Sequence, residues 1–200
     1  MNLNDQIREG LSDEERKNNE EIKLRWNAEK PLSKATSSIG NPGALASEVR
    51  NAHKPGTRTI IVVNTVERAC DLFHALSKAS TPNQGKGGKG KRTAGTLQPD
   101  TEVSQGTPSI VLLHSRFRPP DRAKRVAEAL ADVDPNGPGT IVVSTQVIEA
   151  GVDVSATTLF TELAPWASLV QRFGRCNRRG EQNAQASVKW IDLPTGDAHT

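Results

Sequence analysis

The stretch LVQRFGRCNRRG, Leu169–Gly180, carries four arginines beside a short apolar stripe. Arg175 and Arg178 are three residues apart, and Gln171 stands four before Arg175. On a helix those spacings put all three on one side. A guanidinium is always charged and presents its donors as a fork, so arginines grouped this way suit a phosphate.

Three further polar groups each follow an apolar run. Asn64 and Thr65 close TIIVVN (59–64). His114, Ser115, Arg116, Phe117 and Arg118 close IVLLHS (110–115). Ser144, Thr145 and Gln146 close TIVVST (140–145) and lead into VIEAGVDV. Ligands of open α/β sheets collect outside the carboxyl ends of the strands, so the spacing predicts one functional rim joined by the arginine helix. Each group also has a plainer reading. Gly151-Val152-Asp153 is either a turn, with Gly at positive φ and Asp capping, or a close backbone approach to a nucleotide with Asp153 accepting from a ribose hydroxyl. Ser144 and Thr145 are either caps or donors to a phosphodiester oxygen. His114 is either a satisfied strand-end histidine or a neutral donor to a nucleic-acid backbone beside Arg116.

Other tempting segments fail on context. GKGGKGKR (85–92) lacks the Gly-Lys-Ser/Thr ending of a phosphate loop and sits in low-complexity sequence; it supports only nonspecific affinity for polyanions. SDEER (12–16) follows no apolar strand and is not a magnesium site. None of His53, His74, His114 and His199 is followed by Asp, and no metal-ligand spacing occurs, so no metal site is expected.

The elements needed to hold these residues are legible as periodicity. The runs 59–64, 110–115, 140–145 and 158–163 are apolar throughout, as in strands buried on both faces of a parallel sheet, and SVKWIDL (187–193) reads as a last strand. Between them, 65–78 and 119–132 have helical apolar faces. Asn64 with Glu67 resembles a capping box, and Pro119-Pro120 opens the second helix. Asn41-Pro42-Gly43 reads as a turn before a short helix stopped at Pro55-Gly56. Alternation of strand and helix predicts an open α/β sheet. Residues 1–40 read as a charged linker or peripheral helix and 41–195 as the folded domain. Residues 79–109, rich in Gly, Ser, Thr, Pro and Lys, read as a disordered insertion at the sheet's edge.

The bulk properties are compatible. The chain has 200 residues, one domain's worth, and a formal net charge of +3. Residues 1–30 hold eight acids and six bases, so the basic excess lies in the body and favours a polyanionic partner. Cys70 and Cys176 make no disulfide framework, which fits a reduced, cytoplasmic setting. No apolar run approaches a membrane span and no secretory h-region follows Met1.

These residues resemble a family. STQVIEAGVDV is similar to motif V of superfamily 2 helicases, and QRFGRCNRRG to their motif VI. IIVVNTVERACDLF resembles motif IV with its helix, and LLHSRFRPPDR the strand and loop that follow. The wording from VSTQVIEAGVDV to LFTELAPWASLVQRFGRCNR most resembles the CRISPR-associated helicase–nuclease of type I systems, the Cas-three family, over about residues 45–193. That resemblance implies a RecA-like open parallel sheet with helices on both faces, the second lobe of a two-lobed motor. It implies ATP with magnesium, bound mainly by a first lobe that this sequence does not contain. It implies Arg178 as arginine finger, Arg175 as γ-phosphate contact, and Gly151, Asp153 and Gln171 at the ATP cleft. Thr65, His114, Ser115, Arg116, Ser144 and Thr145 would face the DNA backbone. The implied partners are the first lobe, single-stranded DNA and a crRNA-guided surveillance complex, with no membrane, and the implied stepping is 3′ to 5′. The phosphate-loop lysine, Walker B carboxylates and HD nuclease signature are absent from the sequence. The expectation is half a motor, a split subunit or a fragment, inactive alone in ATP hydrolysis, unwinding and cutting. Two other readings remain: a lobe of another superfamily 2 motor, such as a DEAH-type RNA helicase or a restriction translocase, and a non-catalytic nucleic-acid-binding module.

Overall fold

A computed structural model of the chain describes residues 19–78, 106–150 and 152–193. In chain order the elements are α1 (Glu20–Trp26), β1 (Leu32–Lys34), α2 (Pro42–Ala52), β2 (Arg58–Val62), α3 (Val66–Lys78), β3 (Ser109–Leu113), α4 (Pro119–Leu130), β4 (Thr140–Ser144), a 3₁₀ turn (Gln146–Ile148), β5 (Thr158–Glu162), α5 (Trp166–Phe173) and β6 (Ser187–Ile191). The strands form one sheet in the order β1-β6-β5-β2-β4-β3, and every pairing is parallel. The open parallel sheet read from the apolar runs is therefore present. The segment read as an insertion lies, for residues 79–105, outside the described residues.

Alternation along each strand divides the interior in two. Ile61, Val63, Leu112, Ile141, Val143, Phe160 and Ile191 face the helices α2 and α3, which contribute Leu45, Val49, Leu72 and Leu76. Ile60, Val62, Val111, Leu113, Val142, Leu159 and Val188 face the other way, onto Ala129 of α4, Ile148, Val152, Val154, Ala156 and Cys176. That second layer is made largely of the segments carrying the motif V and motif VI residues. Those segments are thus part of the core, not loops draped over it.

Two local expectations are corrected. The first concerns Asn64, which does not cap α3. Its side chain donates to Leu163 O (2.7 Å) and accepts from Arg172, while Thr65 Oγ1 accepts from Arg68 N at 3.3 Å and takes the cap position. The second concerns residues 32–39. Leu32–Lys34 pair with Val188–Trp190 as an edge strand, and Ala35 and Ile39 are buried in the first core, so the sheet begins ahead of residue 41. β1 is exposed along its length and holds its place through main-chain pairing, so no apolar pattern marks it. Asn41 accepts from Ala44 N at 3.0 Å and Pro42 opens α2, so the expected turn is that helix's N-terminus.

Candidate functional site

The carboxyl ends of β2, β3, β4 and β5 make a hydrogen-bonded rim. Val63 N donates to Ser144 O (2.9 Å) and Thr145 N to Leu113 O (3.2 Å). Gln146 Nε2 reaches Asn64 O at 3.1 Å, and Asn64 N donates to the Glu162 carboxylate at 2.8 Å. Thr65, Ser115 and Arg116 are exposed on this rim. His114 is buried, its ring stacked on Phe117 with centroids 4.0 Å apart, and its Nδ1 accepts from Arg116 N at 3.2 Å. Burial, and then the Arg116 charge, hold its pKa below the usual imidazole value. Ser144 and Thr145 are buried, and the Ser144 hydroxyl donates to Thr145 O at 3.1 Å. This hydroxyl thus donates to a neighbouring carbonyl, and the 3₁₀ turn that begins at Gln146 has no side-chain cap from Thr145.

From Thr145 the chain leaves this rim. It crosses the face of the sheet through Ile148, Val152 and Val154 and arrives at the strand starts, where the Arg58 guanidinium donates to Ser155 O at 3.2 Å and Thr157 N to Arg58 O at 2.9 Å. Asp153 therefore lies toward the opposite end of the sheet from Thr65 and Arg116. The single rim expected from the spacing is corrected to two separate groups, joined by the motif V crossing.

The arginines belong to the second group, and not on a helix face. α5 stops at Phe173, with Gly174 as its C-cap. The chain then turns, because Cys176 is buried against the second core and bridges Ala156 in parallel, while Asn177 takes a φ of 45°. Gln171 stays on α5, exposed. Arg175 and Arg178 instead meet at one carboxylate: Arg178 Nε lies 3.1 Å and Arg175 Nη1 3.9 Å from Asp153 Oδ1. Arg175 also donates to Glu149 O at 2.9 Å, and its buried Nε has no partner among the described residues. Burial, and then the Arg178 charge, pull its pKa below the usual arginine value, with Asp153 opposing. Arg178 is far more open, at 44% side-chain exposure, and Asp153 is 77% exposed. Two cations thus converge on one exposed anion at the surface. Gly151 lies outside the described residues.

The residue the sequence reading passed over is Arg172. Its side chain is 1% exposed. Nε donates to Glu149 Oε1 (2.7 Å), Nη1 to Thr161 Oγ1 (3.2 Å) and Glu162 O (3.1 Å), and Nη2 to Asn64 Oδ1 (3.0 Å). Glu162, buried at the end of β5, also pairs with Arg68. One guanidinium therefore ties α5 to the motif V crossing, to β5 and to the end of β2. The signal was available: Arg172 lies between Leu169 and Phe173 on the apolar phase of α5, and Glu162 is the one charged residue in the run 158–163.

Comparison with known proteins gives the family and the fold. Residues 55–181, well over half of the chain, match the family model of the CRISPR-associated nuclease/helicase Cas3, C-terminal. A putative CRISPR-associated nuclease/helicase Cas3 from Myxococcus xanthus is 40% identical over 157 residues, covering 78% of this chain and 17% of that protein. The CRISPR-associated endonuclease/helicase Cas3 of Thermus thermophilus is 34% identical over 148 residues, covering 62% of this chain and 16% of its own length. The chain thus spans under a fifth of these relatives. Among solved structures, T. fusca Cas3 with ADP superposes with a TM-score of 0.61 at 21% identity, over 86% of this chain and 19% of that one. The C-terminal domain of the DEAD-box protein Dbp5 superposes with a TM-score of 0.54 at 14% identity, over 84% of this chain and 79% of that one. Those likenesses give the fold, a RecA-like helicase C-terminal lobe. Joined to the family match across motifs IV, V and VI, they place the chain in the Cas3 family, as its C-terminal helicase region.

Proposed function

We propose that this chain is the second RecA-like lobe of an ATP-dependent motor that translocates on single-stranded DNA in type I CRISPR interference. The observation that carries the reading is the convergence of Arg175 and Arg178 on Asp153, at a surface the chain itself leaves open. Two guanidiniums on one carboxylate, one with an unpartnered buried Nε, fit the edge of a polyphosphate. ATP with its magnesium, held mainly by a first lobe, supplies the phosphoanhydride that is cleaved.

In this reading Arg178 leaves Asp153 and reaches across the interlobe cleft to offset charge on the γ-phosphoryl group, while Arg175, fixed by Glu149 O, contacts the same group with less freedom. Gln171, on the exposed side of α5, steadies the arginine loop against the nucleotide, and Asp153 and Gly151 line the cleft. On the other rim, the exposed Thr65, Ser115 and Arg116 take the DNA backbone, with His114 packed behind them and Ser144 and Thr145 holding the strand ends in register. The motif V crossing joins both ends of the sheet, so cleft closure and grip on DNA are linked through one piece of chain. A first lobe and a crRNA-guided complex are the partners this reading requires.

The test is ATP hydrolysis by the purified chain, with and without single-stranded DNA, alone and mixed with the first lobe of a related helicase. The expected result is silence alone and turnover on mixing, lost with Arg178→Ala. Turnover by the chain alone would overturn the reading, because it requires a nucleotide site this lobe does not supply.

A further inference from the structure

The loop that carries Arg178 is seated on the chain that leads into the lobe. At Gly180 (φ +75°) an added Cβ would stand 1.8 Å from Leu24 O, so the last turn of α1 touches the loop's main chain directly. Next along, two asparagines bind the connecting segment. Asn183 Oδ1 accepts from Glu29 N (2.9 Å), and Asn183 Nδ2 donates to Asn27 O (2.9 Å). Asn177 Nδ2 donates to Glu29 O (3.0 Å) and to Asn183 Oδ1 (2.6 Å), while Asn177 Oδ1 accepts from Gln182 N (3.0 Å). The segment then runs into the sheet, where Pro31 O accepts from Val188 N at 2.8 Å. Lys30 is lodged close enough to Cys176 and Arg178 to feel both; burial first, and then the Arg178 charge, lower its pKa.

Asn177 is the hinge of this arrangement. It is buried, directly precedes Arg178, and is the one non-glycine residue with positive φ among the described residues. Asparagine tolerates that left-handed conformation better than most residues, but the surroundings must hold it there. The hydrogen bonds to the two asparagines come from the segment's main chain: Asn27 O, Glu29 N and Glu29 O. The Arg178 side chain, 44% exposed, has the Asp153 ion pair, and the Arg178 N–H donates to Ser155 Oγ at 3.1 Å. Its reach is therefore set by the backbone of the loop, and the backbone is set by the two amides.

We propose that Asn177 and Asn183 are positioning residues for Arg178, clamping the arginine loop to the segment 24–30 so that the connection into the lobe fixes where the arginine points. The catalytic consequence rests on the helicase reading above; the clamp itself does not.

The test uses the full 200-residue chain and three variants. Asn183→Ala removes three of the side-chain bonds at a half-buried position. Asn177→Gly keeps the positive φ but removes the clamp from the other side. Asn183→Asp keeps both acceptor contacts, loses the donor to Asn27 O and sets a carboxylate oxygen against that carbonyl. Amide hydrogen exchange in residues 175–180 is expected to speed up by roughly tenfold or more in Asn183→Ala and Asn177→Gly, and by an intermediate factor in Asn183→Asp, with β4 unchanged. Unchanged protection of 175–180 in both would overturn the clamp. In the mixture with a first lobe, Asn183→Ala is expected to lower kcat with little change in KM, and to lower it by a clearly smaller factor in an Arg178→Lys background, whose residual turnover can still be measured, the mark of a residue acting through that arginine. Additive losses would overturn the positioning role. Silence of the unmodified mixture would count against the helicase reading and leave the exchange result to decide the clamp.

Discussion

Arg172 Nε stands 2.7 Å from Glu149 Oε1, an ion pair in which the arginine is wholly buried and the glutamate nearly so. Glu149 lies at the start of the motif V crossing and Arg172 near the end of α5. The same Glu149 offers its main-chain oxygen to Arg175. One glutamate therefore holds the buried arginine through its side chain and a surface arginine through its backbone. The two motifs are not merely adjacent; their geometry is shared.

Removing Arg172 is expected to unfold the lobe before it says anything about activity. Breaking a buried pair leaves an uncompensated charge, which typically costs about 3–5 kcal/mol, and here Thr161, Glu162 O and Asn64 also lose their donor. Arg172→Ala should therefore lower the urea midpoint sharply. Arg172→Lys should not restore it, because one ammonium cannot reach four acceptors along a fixed fork. A lysine variant as stable as the parent would mean that charge alone, not fork geometry, matters at this site.

The two surface arginines are expected to separate. Arg178 is 44% exposed, so Arg178→Ala should leave stability within about 0.5 kcal/mol of the parent while abolishing turnover in a reconstituted motor. Arg175 has an 11% exposed side chain bonded to Glu149 O, so Arg175→Ala should lose stability as well as turnover. Thermal melts beside ATPase rates check both. Equal stability losses in the two variants would contradict the burial difference.

Much of this was legible in the sequence, and the reason is specific. TIIVVN, IVLLHS, TIVVST and TLFTEL are apolar on both faces, and only a strand buried between two layers requires that. The sequence alone puts Arg175 and Arg178 on a helix, because spacing of three and four residues cannot reveal where a helix stops. What stops α5 is Cys176 bridging Ala156, a contact between residues twenty apart. β1 was illegible for a different reason: Leu32-Ser33-Lys34 contributes backbone pairing alone. The segment 24–30 likewise meets the arginine loop through main-chain atoms, which carry no sequence signature.

Stability is expected to fall on acidification in two stages. His53 is half-buried between Thr59 Oγ1 and Pro138 O, both at 2.8 Å, and burial first, with Arg50 adding to it, lowers its pKa from 6.5; His114 is lowered as well. For such a group the unfolded chain binds protons first, so stability is complete above pH 6.5 and declines below it. Glu48 adds a second stage. Burial would raise its pKa, but hydrogen bonds from Thr36 and Ser37 prevail and hold it at about 2. Its contribution is present above pH 4.5 and drains away as the pH falls toward 2. His53→Gln should reduce the first stage to the share that His114 contributes, and Glu48→Gln should flatten the second, read from melting temperature against pH. A melting temperature unchanged from pH 7.5 to 5.5 would contradict the histidine assignment.

Nucleic-acid affinity is expected to sort the rim residues by exposure rather than by motif membership. A phosphate contact made by one arginine contributes about one unit of counterion release, so Arg116→Ala should weaken single-stranded DNA binding and reduce the slope of log K against log salt by roughly 0.7. Ser144→Ala should leave that slope alone, because the hydroxyl is buried and donates to Thr145 O. Its effect should appear in stability instead, at about 1 kcal/mol for the lost hydrogen bond. Fluorescence anisotropy across a salt series distinguishes the two. If Ser144→Ala changes the slope while Arg116→Ala does not, the strand ends must open on binding, and the rim described here is not the surface that meets DNA.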